Sequence, residues 1–162
     1  MNWDLVGALA ELLAAVAVLA SLIYLGRQLK EANNNAKFST ISQITDRTTA
    51  LMTTRTDPGV AAIMARLREP GFEAESIEQE ERVNALGHIY FNLWMNAEIA
   101  YYHGQLEKMM FEAYIADMRS VLERYPALVP YLDGIFHSVN ATQTRCYKVL
   151  QEAVGNRTYT PS

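Results

Sequence analysis

The chain has 162 residues, half of them hydrophobic, and a formal net charge of −4. Acids and bases are interleaved, without the basic stripe that marks a nucleic-acid binder, so no nucleic-acid partner is expected. The single cysteine, Cys146, can form no intrachain disulfide, which suits a reducing compartment.

The first segment, Leu5 to Gly26, is apolar apart from Glu11. As a helix it spans roughly 33 Å, enough for a bilayer core of about 30 Å. Trp3 and Tyr24 bracket it as aromatic interface anchors, and Arg27 and Lys30 follow as basic ones. A cleavable signal peptide is disfavoured, because Met1 to Asp4 holds no Lys or Arg and the apolar run continues past the small residues near Ala20. A buried helix of a soluble protein is the other reading, and the length and aromatic brackets speak against it. The basic residues Arg27, Lys30 and Lys37 place the C-terminal side in the cytoplasm and the N-terminus outside.

Within this segment Gly7, Ala10, Ala14, Ala17 and Ser21 form a stripe of small residues at 3-4 spacing, the pattern that lets helices approach closely in lipid. Glu11 borders the stripe. A carboxylate inside an apolar helix is costly and marks a helix–helix contact or an ion path. These six residues are the expected association surface. Nothing stops the helix at Gly26, so it is predicted to continue through residues 27–56. That stretch is rich in Asn and Thr, poor helix formers, and needs a packing partner.

Asp57-Pro58 starts a short helix to about Arg68, with Val60, Ile63, Met64 and Leu67 on one face. Glu69 to Ala74 reads as a loop. Ser76 and Gln79 form a capping box that opens a long helix to about His103, stopped by Gly104. Its core face is Val83, Leu86, Tyr90, Leu93, Trp94, Ala97 and Tyr101. In the next helix, about Leu106 to Tyr125, Leu106, Met109, Met110, Ala113, Tyr114, Met118, Val121, Leu122 and Tyr125 follow the 3-4 spacing of a core face. A shorter helix runs from Leu128 to Val139. Asn140 and Gln143 read as the cap of a last helix to about Val154, with Cys146, Tyr147 and Leu150 inward and Gly155 as its stop. Residues 156–162 form a polar tail.

The fold class is therefore all-α. A single transmembrane anchor (1–26) continues into a juxtamembrane helix (27–56), followed by a small helical bundle (57–155) and the tail (156–162). The run from Tyr24 to Asn33, with Glu98, Tyr101, Tyr102, Gly104 and Leu106 further on, resembles a group of small bacterial proteins with no assigned function. The resemblance implies an N-terminal membrane helix, a cytoplasmic all-helical domain and a place in the bacterial inner membrane. It implies no activity, cofactor or catalytic residue.

Glu98 is the buried polar candidate, set among Phe91, Trp94, Met95, Tyr101 and Tyr102. It reads as a core carboxylate tied to an arginine or tyrosine, with Arg66, Arg119 and Arg145 as partners, and otherwise as the one place for an enzyme site. His88 and His103 lie roughly 22 Å apart on one helix, and no Glu-x-x-His pair occurs, so no metal or cofactor is expected. The function expected is that of a membrane-anchored scaffold or accessory subunit rather than an enzyme. Its partners would be membrane lipid and either further copies of itself or other membrane subunits. A channel-like oligomer with Glu11 lining a pore is the alternative.

Overall fold

The computed structural model describes residues 3–69 and 71–155, so Pro70 and the tail 156–162 lie outside it. The described chain is all-helical: α1 (Trp3–Arg55), α2 (Pro58–Arg66), α3 (Ile77–Tyr102), α4 (Lys108–Arg124), α5 (Val129–Ser138) and α6 (Arg145–Gly155), with a single 3-10 turn at Pro126–Leu128. It divides into two compact units, one up to Ser39 and one from Thr40 onward.

The first unit is the N-terminal part of α1. It holds the apolar stretch, long enough to cross a membrane, and none of that stretch is buried. Leu12, Leu13, Leu19 and Ile23 are about 60–70 % exposed. Phe38, near the end of the unit, is exposed as well.

The second unit starts with the last part of α1. There Thr45, Thr48, Thr49, Thr53 and Thr54 donate their hydroxyls back to carbonyls one turn earlier, Thr48 to Ile44 at 2.9 Å and Thr53 to Thr49 at 3.0 Å, while Thr40 donates to Gln105 Oε1 at 3.2 Å. The hydroxyls of Thr45 to Thr54 are satisfied locally, so the face of Ile41, Ile44, Thr48, Leu51 and Arg55 can turn to the bundle. Ile44 and Leu51 are buried in its core. The last part of this weak helix thus packs on the rest of the second unit, whereas residues 27–39 are exposed.

Local signals set the remaining boundaries. The Asp57 carboxylate accepts from the N–H groups of Gly59 and Val60 at 2.9 and 3.1 Å, capping α2 with Pro58 behind it. Ser76 accepts from the Gln79 N–H at 3.2 Å, while the Gln79 side chain reaches the Glu75 N–H at 2.8 Å, one residue before the expected closure of the box. Gly104, at φ 66°, ends α3: its N–H reaches the Tyr101 carbonyl and that of Gln105 reaches Ala100, a Schellman motif.

Two boundaries differ from the sequence reading. Asn140 does not cap α6. It adopts φ 54° and closes α5 with its own Schellman motif, its N–H on His137 and that of Ala141 on Phe136. Asn tolerates the left-handed region almost as glycine does, so the same residue type serves either end of a helix. Thr144 caps α6 instead, accepting from the Tyr147 N–H at 3.2 Å. Likewise α4 begins at Lys108, and Leu106 is buried from the turn before it.

The core is built around α3, which packs on α2, α4, α5 and α6. Gly87 permits the close approach to α5, since a Cβ there would meet Ile135 Cδ1 at 2.9 Å. The buried face of α3 contains the expected Val83, Leu86, Tyr90, Leu93, Trp94 and Ala97, with Phe91 and Ala100 in addition and Tyr101 only half-buried. On α4 Met118, Val121 and Leu122 are buried as expected, but the first half is rotated: Phe111 and Ile115 are buried, whereas Met109 and Ala113 are exposed. Both registers satisfy a 3-4 spacing, and the larger Phe111 takes the inside through its stack on Tyr101, centroids 4.6 Å apart.

Candidate functional site

Glu98 is buried, 2 % exposed, on the α3 face that meets α6. Its Oε1 accepts from the Arg145 N–H at 2.7 Å and its Oε2 from the Cys146 N–H at 2.8 Å. These are two of the orphan donors at the start of α6, where the helix dipole also favours a negative charge. The expected arginine partner is therefore met through its main chain, not its guanidinium. The Arg145 guanidinium instead grips Glu112 with two parallel bonds of 2.9 Å and lies over the Phe111 ring. That grip holds the Glu112 carboxyl below its ordinary range. Neither Arg66 nor Arg119 bonds Glu98: they pair with Glu75 and Glu152. Cys146 is buried, and burial, reinforced by Glu98, pushes its thiol well above the ordinary range.

A second polar group joins α5 to α6. Asp133 Oδ1 accepts from the Tyr147 hydroxyl and from Gln151 Nε2, both at 3.1 Å, with the exposed His137 ring beside them. Burial and then Asp133 push the Tyr147 hydroxyl above its usual value. Among the described residues no three His, Cys, Asp or Glu side chains converge in a way that could hold a metal ion.

A third feature is a cleft of about 310 Å³ in the second unit, between α3, α4 and the last turns of α1. Leu51, Met52, Leu93, Met110 and the Tyr114 ring make its apolar wall. Thr48, Arg55, Tyr90, Asp117 and the Tyr114 hydroxyl are its polar members. Arg55 Nη2 donates to the Tyr125 hydroxyl at 3.0 Å, and Asp117 accepts from Trp94 Nε1 at 3.1 Å. Tyr90 stacks on Trp94 and is 1 % exposed, and its hydroxyl has no hydrogen-bond partner among the described residues. Burial, the dominant cause, pushes that hydroxyl up to about 12.

Compared with known proteins, the chain matches no family model, no curated protein and no solved structure. Its chemistry is read from its own geometry.

The small-residue stripe Gly7, Ala10, Ala14, Ala17 and Ser21 lies on α1 in the first unit, exposed throughout, with Glu11 beside it. Ser21 Oγ donates to the Ala17 carbonyl at 2.9 Å, so its hydroxyl is satisfied within the helix. Of the expected interface anchors, Tyr24, Arg27 and Lys30 are exposed on α1, and the Trp3 side chain falls outside the description. The cleft was not legible as a site. Tyr90 fits the core periodicity of α3, and a sequence pattern does not show that its hydroxyl lacks a partner.

Proposed function

We propose that the protein is a membrane-anchored helical scaffold or accessory subunit. It acts through homo-oligomerisation or by joining a larger complex in the bacterial inner membrane, with its N-terminus periplasmic and the second unit cytoplasmic. The observation that carries this reading is the apolar stretch of α1, with no part of it buried. In water such a surface is a liability, whereas in lipid it is an anchor. The stripe from Gly7 to Ser21 supplies the close-approach face, and its small side chains let a second helix pack backbone to backbone. With the Ser21 hydroxyl turned back to Ala17, Glu11 is the remaining polar side chain of that face. A pore needs polarity along its whole length, which favours the scaffold over the channel.

Two measurements test the reading. Fusions of alkaline phosphatase and of a fluorescent protein to Ser162 report topology: a fluorescent, phosphatase-silent C-terminus is expected, and the reverse overturns the orientation. Replacing Ala14 and Ala17 together by Leu pushes neighbouring helices apart, so native mass spectrometry of the detergent-extracted protein is expected to show smaller assemblies. An unchanged particle means that the stripe faces lipid. Glu11→Gln is expected to assemble normally and to leave bilayer conductance at background. Channel events that this one substitution alters would replace the scaffold by the pore.

A further inference from the structure

The unpaired hydroxyl of Tyr90 asks for an explanation. A buried polar group without a partner is disfavoured relative to the same site holding Phe, and native proteins keep few of them. Thr48 donates to the Ile44 carbonyl, Arg55 to the Tyr125 hydroxyl, and Asp117 accepts from Trp94. Among the described residues Tyr90 carries the fully buried side-chain polar atom without a partner, and it lines a cleft walled largely by leucine and methionine.

We propose that this cleft binds an uncharged, largely apolar small molecule carrying one hydrogen-bond acceptor, such as a ketone or ester oxygen, held by the Tyr90 hydroxyl.

Four observations fix the class of ligand. Burial keeps the hydroxyl in its protonated form, and a phenol O–H donates more strongly than its oxygen accepts, so an acceptor atom serves it best. Arg55, half-buried, and Asp117, exposed, stand at the same cleft with opposite charges, so the cleft offers no net charge to an ionic ligand. An ionic ligand would lose hydration against the apolar wall without a net opposite charge to offset it, a cost that a neutral ligand avoids. The wall is apolar, and the volume of about 310 Å³ sits at the small end of the range for ligand pockets, roughly 300–1,000 Å³. Finally, the hydroxyl is buried behind the cleft wall, so entry needs a wall side chain to move. Met52 and Met110 supply that freedom, since unbranched thioether chains change rotamer cheaply.

The test uses the full-length protein in amphipol and three probes with the same eight-carbon skeleton: octan-2-one, octanoate and octylammonium. Isothermal titration, corrected for protein-free amphipol, is expected to show saturable one-to-one binding of octan-2-one, with octanoate and octylammonium each at least about tenfold weaker. Tyr90→Phe removes only the hydroxyl. It is expected to raise the melting temperature of the ligand-free protein while weakening octan-2-one about tenfold, roughly what one hydrogen bond is worth. A Tyr90 serving only as core would give the first effect without the second. Ala113→Phe is a second variant, independent of Tyr90. It starts from an exposed residue on the cleft wall, fills the space, and is expected to abolish binding while leaving the fold intact. The proposal is overturned if octan-2-one shows no saturable binding above the amphipol blank, if Tyr90→Phe binds it as well as the parent, or if octanoate binds more tightly than the ketone.

Discussion

Leu13 and Leu51 lie on the same helix, yet Leu13 is 67 % exposed and Leu51 is 3 % exposed. The stretch around Leu13 is apolar on every face and buries none of it. The stretch around Leu51 is mostly threonine and charged residues, and buries Ile44 and Leu51 while Met52 stays half exposed. Apolar content alone thus does not say where a helix packs. The sparse face of Ile44 and Leu51 turns to protein because its polar remainder can face water and because the threonine hydroxyls are spent on the helix's own carbonyls. The dense stretch has only Glu11 and Ser21 as polar remainder, so it turns apolar side chains outward on nearly every side.

That contrast is open to attack at several points, beginning with the second unit. Glu98→Ala leaves two buried N–H groups of α6 without an acceptor, at roughly 1–3 kcal/mol each, so a loss of about 4 kcal/mol in denaturant unfolding of the full-length protein is expected. Glu98→Gln keeps one acceptor oxygen and is expected to lose about half as much. A neutral Glu98→Ala would mean that α6 is capped in some other way.

Leu51→Ala is the sharper probe of the two stretches. It empties a core position and is expected to cost about 3 kcal/mol, whereas Leu13→Ala is expected to leave the unfolding of the bundle unchanged. Equal effects from the two leucines would erase the distinction between the units.

Smaller effects come from titration. Tyr90 ionises near 10 in the unfolded chain and at about 12 in the folded one. Stability from its neutral form is full below pH 10 and is lost as pH rises toward 12, because the unfolded chain releases its proton first. Tyr90→Phe is expected to flatten that alkaline decline, read from unfolding at stepped pH, and to gain about 1 kcal/mol at neutrality. At the acid end Glu112 is held low by Arg145, so its contribution is present above its unfolded value of 4.5 and fades as pH falls through the lower folded value. Glu112→Gln is expected to remove only that acid-side dependence, a minor effect for so exposed a pair.

Much of the architecture was legible because it rests on local signals. Asp57-Pro58, Ser76 with Gln79, and Gly104 each act within one helical turn, and each marks the helix end it was expected to mark. The faces of α2 and α3 follow from spacing. Where two answers share one local signal, sequence does not choose: Asn140 can begin or end a helix, and α4 offers two 3-4 registers. The long-range partners were hidden for a different reason. Glu98 looked in need of a cation, and arginine side chains were the visible donors. A backbone N–H at a helix start is an equally strong donor that no residue letter announces. Tyr90 hid in the same way, as a core aromatic whose unpaired hydroxyl becomes visible only once the surrounding side chains are placed.

The central claim, that the first stretch of α1 is solvated by lipid and the outer face of its later part by water, is tested most directly by a spin-label scan. Single cysteines are introduced at Leu9, Leu13, Val16, Leu19, Ile23, Phe38 and Met52 in a Cys146→Ala background, and the labelled protein is reconstituted into lipid vesicles. Collision with oxygen, which dissolves in lipid, is then compared with collision with a water-soluble nickel chelate. High oxygen and low nickel accessibility from residue 9 to residue 23, deepest near Val16, with the opposite ratio at Phe38 and Met52, is the expected result. High nickel accessibility at Val16 would contradict the account.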